Sequence, residues 1–259
     1  MRIATWNING IKARLPVLKL WLEQHKPDAV CLQEIKSIDE NFPREEFEAL
    51  GYNVETHGQK SFNGVAILSL NRFDEVTRGL PGDEDDAQAR LIEGVFSTPS
   101  GVVRVCNIYL PNGNPVDSEK FPYKLDWMRR LRAFTEERLK LEEPFVLLGD
   151  FNLIPAARDC HDPKAWWGDA LYRPESLEQF RALHNLGLTD AVRAATDAPA
   201  YTFWDFQSGA WRKDNGIRID HLMLSPQAAD RLSGVTIHRE VRGWDKPSDH
   251  VPVEGQFAI

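Results

Sequence analysis

The strongest constraint on this chain is a repeated arrangement: short apolar runs of the kind that form buried strands, each ending in a polar cluster. Met1 to Trp6 runs into Asn7-Ile8-Asn9-Gly10, and Ala29 to Leu32 runs into Gln33-Glu34. Val102 to Ile108 runs into Tyr109-Leu110-Pro111-Asn112, and Phe145 to Leu148 into Gly149-Asp150-Phe151-Asn152. Two later segments carry Arg218-Ile219-Asp220-His221 and Pro247-Ser248-Asp249-His250. Strand ends on a rigid sheet are places where carboxylates, amides and an imidazole can converge on one point. Six such ends in one chain point to a catalytic site.

The pattern between these ends alternates helix with strand early and clusters strands later. Leu15, Leu18 and Leu22 share a helical face, with Pro16 expected in the first turn and Lys26-Pro27 as the stop. A short helix near Arg44–Leu50 should end at Gly51. Strands are expected at Asn53–Thr56, Val65–Ser69, Leu91–Ser97 and Val102–Tyr109, followed by a long amphipathic helix, Glu119–Leu141, that delivers the chain to Asp150. A further helix spans about Glu175–Leu186, and strands at Ile217–Leu224, Val235–Val241 and Val253–Ala258 close the chain. The polar ends come from both halves, so a domain boundary in the middle would split the site. One domain, residues 1–259, is the expectation, with strands of two sheets bringing their ends to a common edge.

Composition excludes several classes. No apolar stretch approaches the roughly 20 residues that span a bilayer, so no membrane partner is expected. Met1-Arg2-Ile3-Ala4-Thr5-Trp6 reads as a first strand and not as a signal peptide. Cys31, Cys106 and Cys160 form no framework, and two lie inside apolar runs, which fits a reducing, cytoplasmic setting. The net charge of −8 argues weakly against a nucleic-acid partner, because carboxylates that hold a divalent cation can still accept phosphate. Lys12, Arg14, Lys36, Lys60, Lys120, Arg212 and Lys213 are candidate phosphate contacts near the polar ends. Asp83-Glu84-Asp85-Asp86 reads as a solvated loop.

The polar residues themselves suggest hydrolysis. Glu34 ends a buried run and is either an ordinary strand-end charge or a metal ligand. Hard oxygen donors without paired His or Cys spacing favour Mg²⁺, with Mn²⁺ as a substitute, over zinc. Asp150 and Asn152, two apart, face the same way in an extended segment, and Gly149 lets the backbone approach a ligand. They form either a proton acceptor beside an orienting amide or a capped turn. An imidazole at His250 held by a carboxylate, Asp249 or Asp220, can offer a proton to a phosphate oxygen. His221 should face the opposite side and be structural.

Taken together, WNING, LQE, YLPN, GDFN, RIDH and PSDH, in this order, resemble the exonuclease III and abasic-site endonuclease branch of the endonuclease–exonuclease–phosphatase superfamily. Lys36 after LQE, the Tyr201-Thr202-Phe203-Trp204-Asp205 segment and collinearity from Arg2 to Phe257 mark the DNA-repair branch. The resemblance implies a four-layered α/β sandwich of two packed mixed sheets flanked by helices. It implies a Mg²⁺-dependent nuclease that cuts 5′ of abasic sites in double-stranded DNA. Blocked 3′ ends would also be substrates, through 3′-phosphatase, 3′-phosphodiesterase and 3′–5′ exonuclease activity, and the enzyme is expected to be a monomer. Glu34 and Asn7 would hold the metal, with Asp150 and Asp249 as further candidates. Asp150 would deprotonate or position water with Asn152; Tyr109 and Asn112 would contact the scissile phosphate or help activate the nucleophile; His250, oriented by Asp220, would donate to a phosphate oxygen. Lys36 counts as a substrate contact, and Phe203, Ile217 and Ile219 match the family's pocket for a flipped-out sugar.

The chain departs from the family at several points. Ile217 stands where some relatives have tryptophan, Pro115 where some have an arginine, and Asn9 where part of the family has aspartate. Residues 156–173, including His161, Trp166, Trp167 and Tyr172, follow no family pattern and are expected to shape the DNA groove. A lipid or inositol phosphatase is less well supported, since no amphipathic membrane-binding segment is present. A non-catalytic regulator on the same fold would have lost Glu34, Asp150 or His250, and this chain keeps all three.

Overall fold

A computed structural model describes residues 1–259. Its elements in chain order begin β1 (Arg2–Asn7), α1 (Ile11–His25), β2 (Ala29–Gln33), α2 (Arg44–Glu48), β3 (Asn53–His57) and β4 (Val65–Ser69). They continue with β5 (Glu75–Arg78), β6 (Leu91–Thr98), β7 (Gly101–Tyr109), α3 (Lys120–Leu139), β8 (Phe145–Asp150), α4 (Pro174–His184) and β9 (Thr189–Asp190). The last are α5 (Ala191–Ala195), α6 (Ala210–Lys213), β10 (Asp220–Leu224), α7 (Pro226–Ala229), β11 (Leu232–Ile237) and β12 (Val253–Phe257).

Two six-stranded sheets result, ordered β11-β12-β1-β2-β4-β3 and β5-β6-β7-β8-β10-β9. Each has one parallel pair, β1 with β2 and β7 with β8, and antiparallel pairing elsewhere. A parallel pair needs a crossover, and α1 and α3 supply the two. Both crossovers lie outside the sheets, so the molecule has four layers, as expected from the sequence.

The apolar runs are continuous because their strands are buried on both faces. In β1 and β2, Ile3, Ala29 and Cys31 point inward, against Val105, Val146, Leu148 and Leu222 of the other sheet. Their neighbours Ala4, Trp6, Val30 and Leu32 point outward, under Leu18, Trp21 and Leu22 of α1. In β8 the outward residues Phe145 and Leu147 meet Met128, Leu131 and Phe134 of α3 and Phe180 of α4. All three cysteines are buried and unpaired. One polar bridge crosses the inner layer. Gln33 Nε2 donates to Thr5 Oγ1 at 2.9 Å and to Asn107 Oδ1 at 2.7 Å, while Asn107 Nδ2 donates to the Leu32 and Ala66 carbonyls.

Several local expectations need correction. α1 starts at Ile11, so Pro16 lies inside it, beyond the first turn and at an exposed position. The last expected strands are displaced. β10 begins at Asp220, because Ile217 pairs instead with Cys160 and Phe203 outside the main sheet. β11 ends at Ile237, and a 3₁₀ turn at Arg239–Gly243 tucks Val241 into the outer core. Asp86 is not solvated like the rest of its acidic run, for Arg130 at 2.6 Å and the Tyr123 hydroxyl at 3.0 Å hold it.

Candidate active site

The ends of β1, β2, β7, β8 and β10 and the segment before β12 meet at one edge of the sandwich. Asn7 sits centrally: its Nδ2 donates to Glu34 Oε1 and to Asp150 Oδ2, both at 2.9 Å. The His250 imidazole approaches from the other side. Its Nδ1 lies 2.9 Å from Asp220 Oδ2 and its Nε2 lies 3.8 Å from Asp150 Oδ2. Thr202 Oγ1 donates to the same Asp220 oxygen at 2.6 Å and accepts from the backbone amides of Ile219 and Asp220. Asp220 thus accepts from both Thr202 and His250, and with Nδ1–H of His250 pointing at it, Nε2 faces the cluster. Of the two carboxylates considered for His250, Asp220 is the one bonded.

Asp249 lies on a separate branch. Its Oδ1 accepts from Asn9 Nδ2 at 3.0 Å, and Asn9 Oδ1 accepts from Lys36 Nζ at 2.6 Å. Lys36 Nζ also pairs with Glu34 Oε2 at 2.9 Å. Glu34 is thus linked to Asp249 through Lys36 and Asn9. Asn112 Nδ2 donates to Asn152 Oδ1 at 3.0 Å, and Asn152 Nδ2 donates to Leu110 O at 2.9 Å.

The backbone of these loops is strained where the side chains converge. Asn9, Glu34, Lys36 and Asn152 all have positive φ, between 45° and 52°. Asparagine tolerates this region, whereas glutamate and lysine do so at a cost that surrounding structure must hold in place. Asn152 therefore faces Asp150 through a turn, closed by Asn152 N–H to Asp150 Oδ1 at 2.8 Å, and not through an extended pleat. Gly149 has a different duty from the one its sequence suggested. A Cβ there would stand 1.9 Å from Ile108 O, so the glycine lets β8 pack on the backbone of β7 and makes no room for a ligand.

Charge is distributed unevenly across the cluster. Burial, reinforced by the neighbouring Asp220 charge, pushes Asp150 up to about 7, against the pull of His250. Burial alone would lower His250, but Asp220, Asp150 and Asp249 around it raise the imidazole to about 10. Glu34 is held below its ordinary value: burial opposes ionisation, and the Asn7 hydrogen bond and Lys36 overcome it. The Tyr109 hydroxyl is driven well upward by burial and by the carboxylates of Glu34 and Asp150. At neutral pH the site therefore offers a cationic imidazole and a phenol that keeps its proton, beside one carboxylate able to exchange protons.

Phe203 stands against His250, ring centroids 4.9 Å apart, and bridges Ile217 and His250 along the backbone. It is half-buried, while Ile217 and Ile219 are closed off beneath it with Ile154, Cys160, Ala170 and Leu171. Only Phe203 of the three presents surface. His221 is internal: Arg218 donates to its Nδ1 at 3.0 Å, and its Nε2 donates to Leu153 O at 3.0 Å.

Two participants were not legible as such. Thr202 looked like part of a family segment, and nothing in its sequence context marks it as the clamp on Asp220. Lys124 was not singled out in the sequence, yet its side chain is fully buried and Nζ donates to Asn112 O at 3.1 Å and Asn152 O at 2.6 Å. The signal available was its place on the apolar side of α3, one turn after Phe121 and one before Met128.

Carboxylates, amides and an imidazole gathered at the strand ends of an α/β sandwich define a hydrolytic centre. Residues 4–250 match the Endonuclease/Exonuclease/phosphatase family. Exodeoxyribonuclease III of Haemophilus influenzae is 35% identical over 266 residues, covering 99% of this chain and 100% of that one. Among solved structures, a 3′ phosphatase from Neisseria bound to a product DNA hairpin superposes with TM-score 0.96 at 37% identity, covering 100% of both chains. An AP endonuclease from Archaeoglobus fulgidus does so with TM-score 0.94 at 33% identity, again covering 100% of both. The chain belongs to the exonuclease III and AP endonuclease branch of this family of hydrolases. No helix is long and apolar enough to cross a membrane.

Proposed function

We propose that the protein is a DNA repair nuclease, dependent on Mg²⁺, that hydrolyses phosphodiesters 5′ of abasic sites and removes phosphate and other blocks from 3′ ends of duplex DNA. The observation that carries this reading is the convergence of two hydrogen-bonded groups, Glu34–Asn7–Asp150 and Asp220–His250, which face each other with His250 Nε2 3.8 Å from Asp150 Oδ2. The relatives named for exonuclease, AP endonuclease and 3′ phosphatase activity support the range of substrates. Three of the family-implied substrates share one chemistry, a phosphate ester on a 3′ oxygen.

The donor set fits a hard divalent cation. Glu34 is ionised and Asp150 stands near it, both offering carboxylate oxygen, while Asn7 bridges them through Nδ2 and would turn its amide to present oxygen. Asp150, Asp220 and His250 also bring ligand atoms within 4.8 Å of one another, but Asp220 is committed to His250 and Thr202. The Glu34 side is therefore the better place for the ion, with Asp249 an outer partner reached through Asn9 and Lys36. When bound there, the cation would polarise the phosphate and stabilise charge on the leaving oxygen.

The protein's own groups divide the remaining work. Asp150 accepts a proton from the attacking water, and Asn152 orients that water. His250, charged and fixed by Asp220, donates to a phosphate oxygen through Nε2, where negative charge grows. Tyr109 and Asn112 hold the phosphate in line. Lys36 meets the DNA backbone, and Phe203 lies against a sugar that lacks its base, with Ile217 and Ile219 as the support beneath. All these groups come from one chain, which supports action as a monomer. The three buried free thiols support a reducing, cytoplasmic location.

The test is a set of duplex oligonucleotides with one abasic site, a 3′-phosphate or undamaged blunt ends, each incubated with Mg²⁺ or with EDTA. Cleavage of the first two in Mg²⁺ and none in EDTA is expected. Hydrolysis of inositol phosphates in preference to all three DNAs would overturn the reading.

A further inference from the structure

Toward the Arg2 end of β1, away from Asn7, three buried polar atoms lack any hydrogen-bond partner: Trp21 Nε1, His238 Nε2 and Glu254 Oε2. They belong to one packed group. The rings of His25 and His238 lie 4.4 Å apart at 71°, and Trp21 packs on both, at 5.4 and 5.2 Å. His238 is turned between two carboxylates, with Nδ1 3.6 Å from Glu240 Oε1 and Nε2 3.7 Å from Glu254 Oε2. Donor atoms of His25, His238 and Glu240 all fall within 4.8 Å of one another.

These separations are too long for hydrogen bonds and too short for side chains that ignore each other. The His238 ring, more than nine-tenths buried and set edge-on to His25, makes no hydrogen bond through Nε2, and an unsatisfied buried polar atom costs free energy. Two histidines and one carboxylate are the donors zinc takes, in contrast to the oxygen-rich centre around Glu34. A metal-bound histidine usually directs its second ring nitrogen at a carboxylate, and Glu254 occupies that place behind His238.

We propose that His25, His238 and Glu240 form a zinc site, with Glu254 orienting His238. The ion joins the C-terminus of α1 to the β11 edge of its sheet and shares no ligand with the hydrolytic centre. Glu240 is the most exposed of the ligands, so it closes on the ion with little rearrangement.

The test uses the full-length protein stripped of metal and titrated with Zn²⁺ against a chromogenic zinc chelator. Wild type should bind one equivalent more than His25→Asn, and Glu254→Gln should bind that equivalent about 10–100-fold more weakly. Zinc should raise the Tm of wild type more than that of His25→Asn. Since the oxygen-rich centre can also take zinc, Glu34→Ala must retain the His25-dependent equivalent. Equal zinc stoichiometry, affinity and Tm response in wild type and His25→Asn would overturn the site and leave the orphaned atoms to water. Should Glu254→Gln not fold, Glu240→Gln on an exposed side chain provides the same comparison.

Discussion

Asn7 Nδ2 lies 2.9 Å from Asp150 Oδ2, and this one contact joins the last residue of β1 in one sheet to the last residue of β8 in the other. Beside it, His250 in the segment before β12 reaches Asp220, the first residue of β10 in the second sheet. Geometry at the site is therefore a property of how the two sheets pack. Changes to single side chains should separate chemistry from folding.

Removing the Glu34 carboxylate should leave the fold intact and raise the Mg²⁺ requirement. Glu34→Ala deletes the carboxylate proposed to hold the ion and leaves Lys36 without its ion-pair partner. A Mg²⁺ titration of abasic-site nicking checks this, and full activity of the variant at low Mg²⁺ rejects the role.

Asp150→Asn and His250→Asn should bind abasic DNA and cleave it slowly. A proton acceptor contributes about 10²–10⁴-fold, and a fixed donor to a developing charge about 10²–10³-fold. Single-turnover rates within a few-fold of wild type for either variant would remove that residue from the mechanism.

Phe203→Ala should impair abasic-site incision much more than release of a 3′-phosphate. The ring faces His250 and covers the buried Ile217, so it is placed to touch a sugar that enters the site. The ratio of the two activities at matched folded fraction decides the matter. An unchanged ratio, with stability lowered by about 3–5 kcal/mol, assigns Phe203 to packing alone.

Lys124→Met should lower the rate without weakening DNA binding, because Lys124 fastens the carbonyls of Asn112 and Asn152 from below. Small misplacements of positioning groups can cost about 10²-fold in rate. Lys124→Arg should recover part of the loss. Equal losses in binding, rate and Tm would mean the lysine is only structural.

Acid should destabilise the protein through His221. Burial and the adjacent Arg218 push its pKa from 6.5 down to about 4. The folded pKa is depressed, so this contribution is full above pH 6.5 and fades as pH falls toward 4, by about 3 kcal/mol in all. Tm measured across that window should fall less steeply for His221→Gln, which can keep both hydrogen bonds. Parallel slopes would refute the assignment.

Much of this was legible in the sequence because strands buried on both faces are written as unbroken apolar runs, and their polar ends stand out. Glu34, Asp150 and His250 could be read that way. What the sequence hides is geometry fixed by distant segments. Gly149 looks like a ligand-facing glycine, yet its constraint is the Ile108 carbonyl, forty-one residues earlier. Ile217 looks like strand, yet Phe203 and Cys160 draw it out of the sheet. Lys124 carries a charge that local pattern assigns to solvent, and only the folded loops of Asn112 and Asn152 give it a reason to be inside.

The two sheets have the same internal plan, a parallel pair wrapped by one crossover helix, and the hydrolytic centre lies across their seam. Neither half owns a complete set: Asn7, Glu34 and His250 belong to the first sheet's side, Asp150 and Asp220 to the second. Activity is therefore a readout of docking. Chains severed in the exposed turn between β6 and β7 would report, by their cleavage rate, how faithfully the strands of both sheets find their partners again.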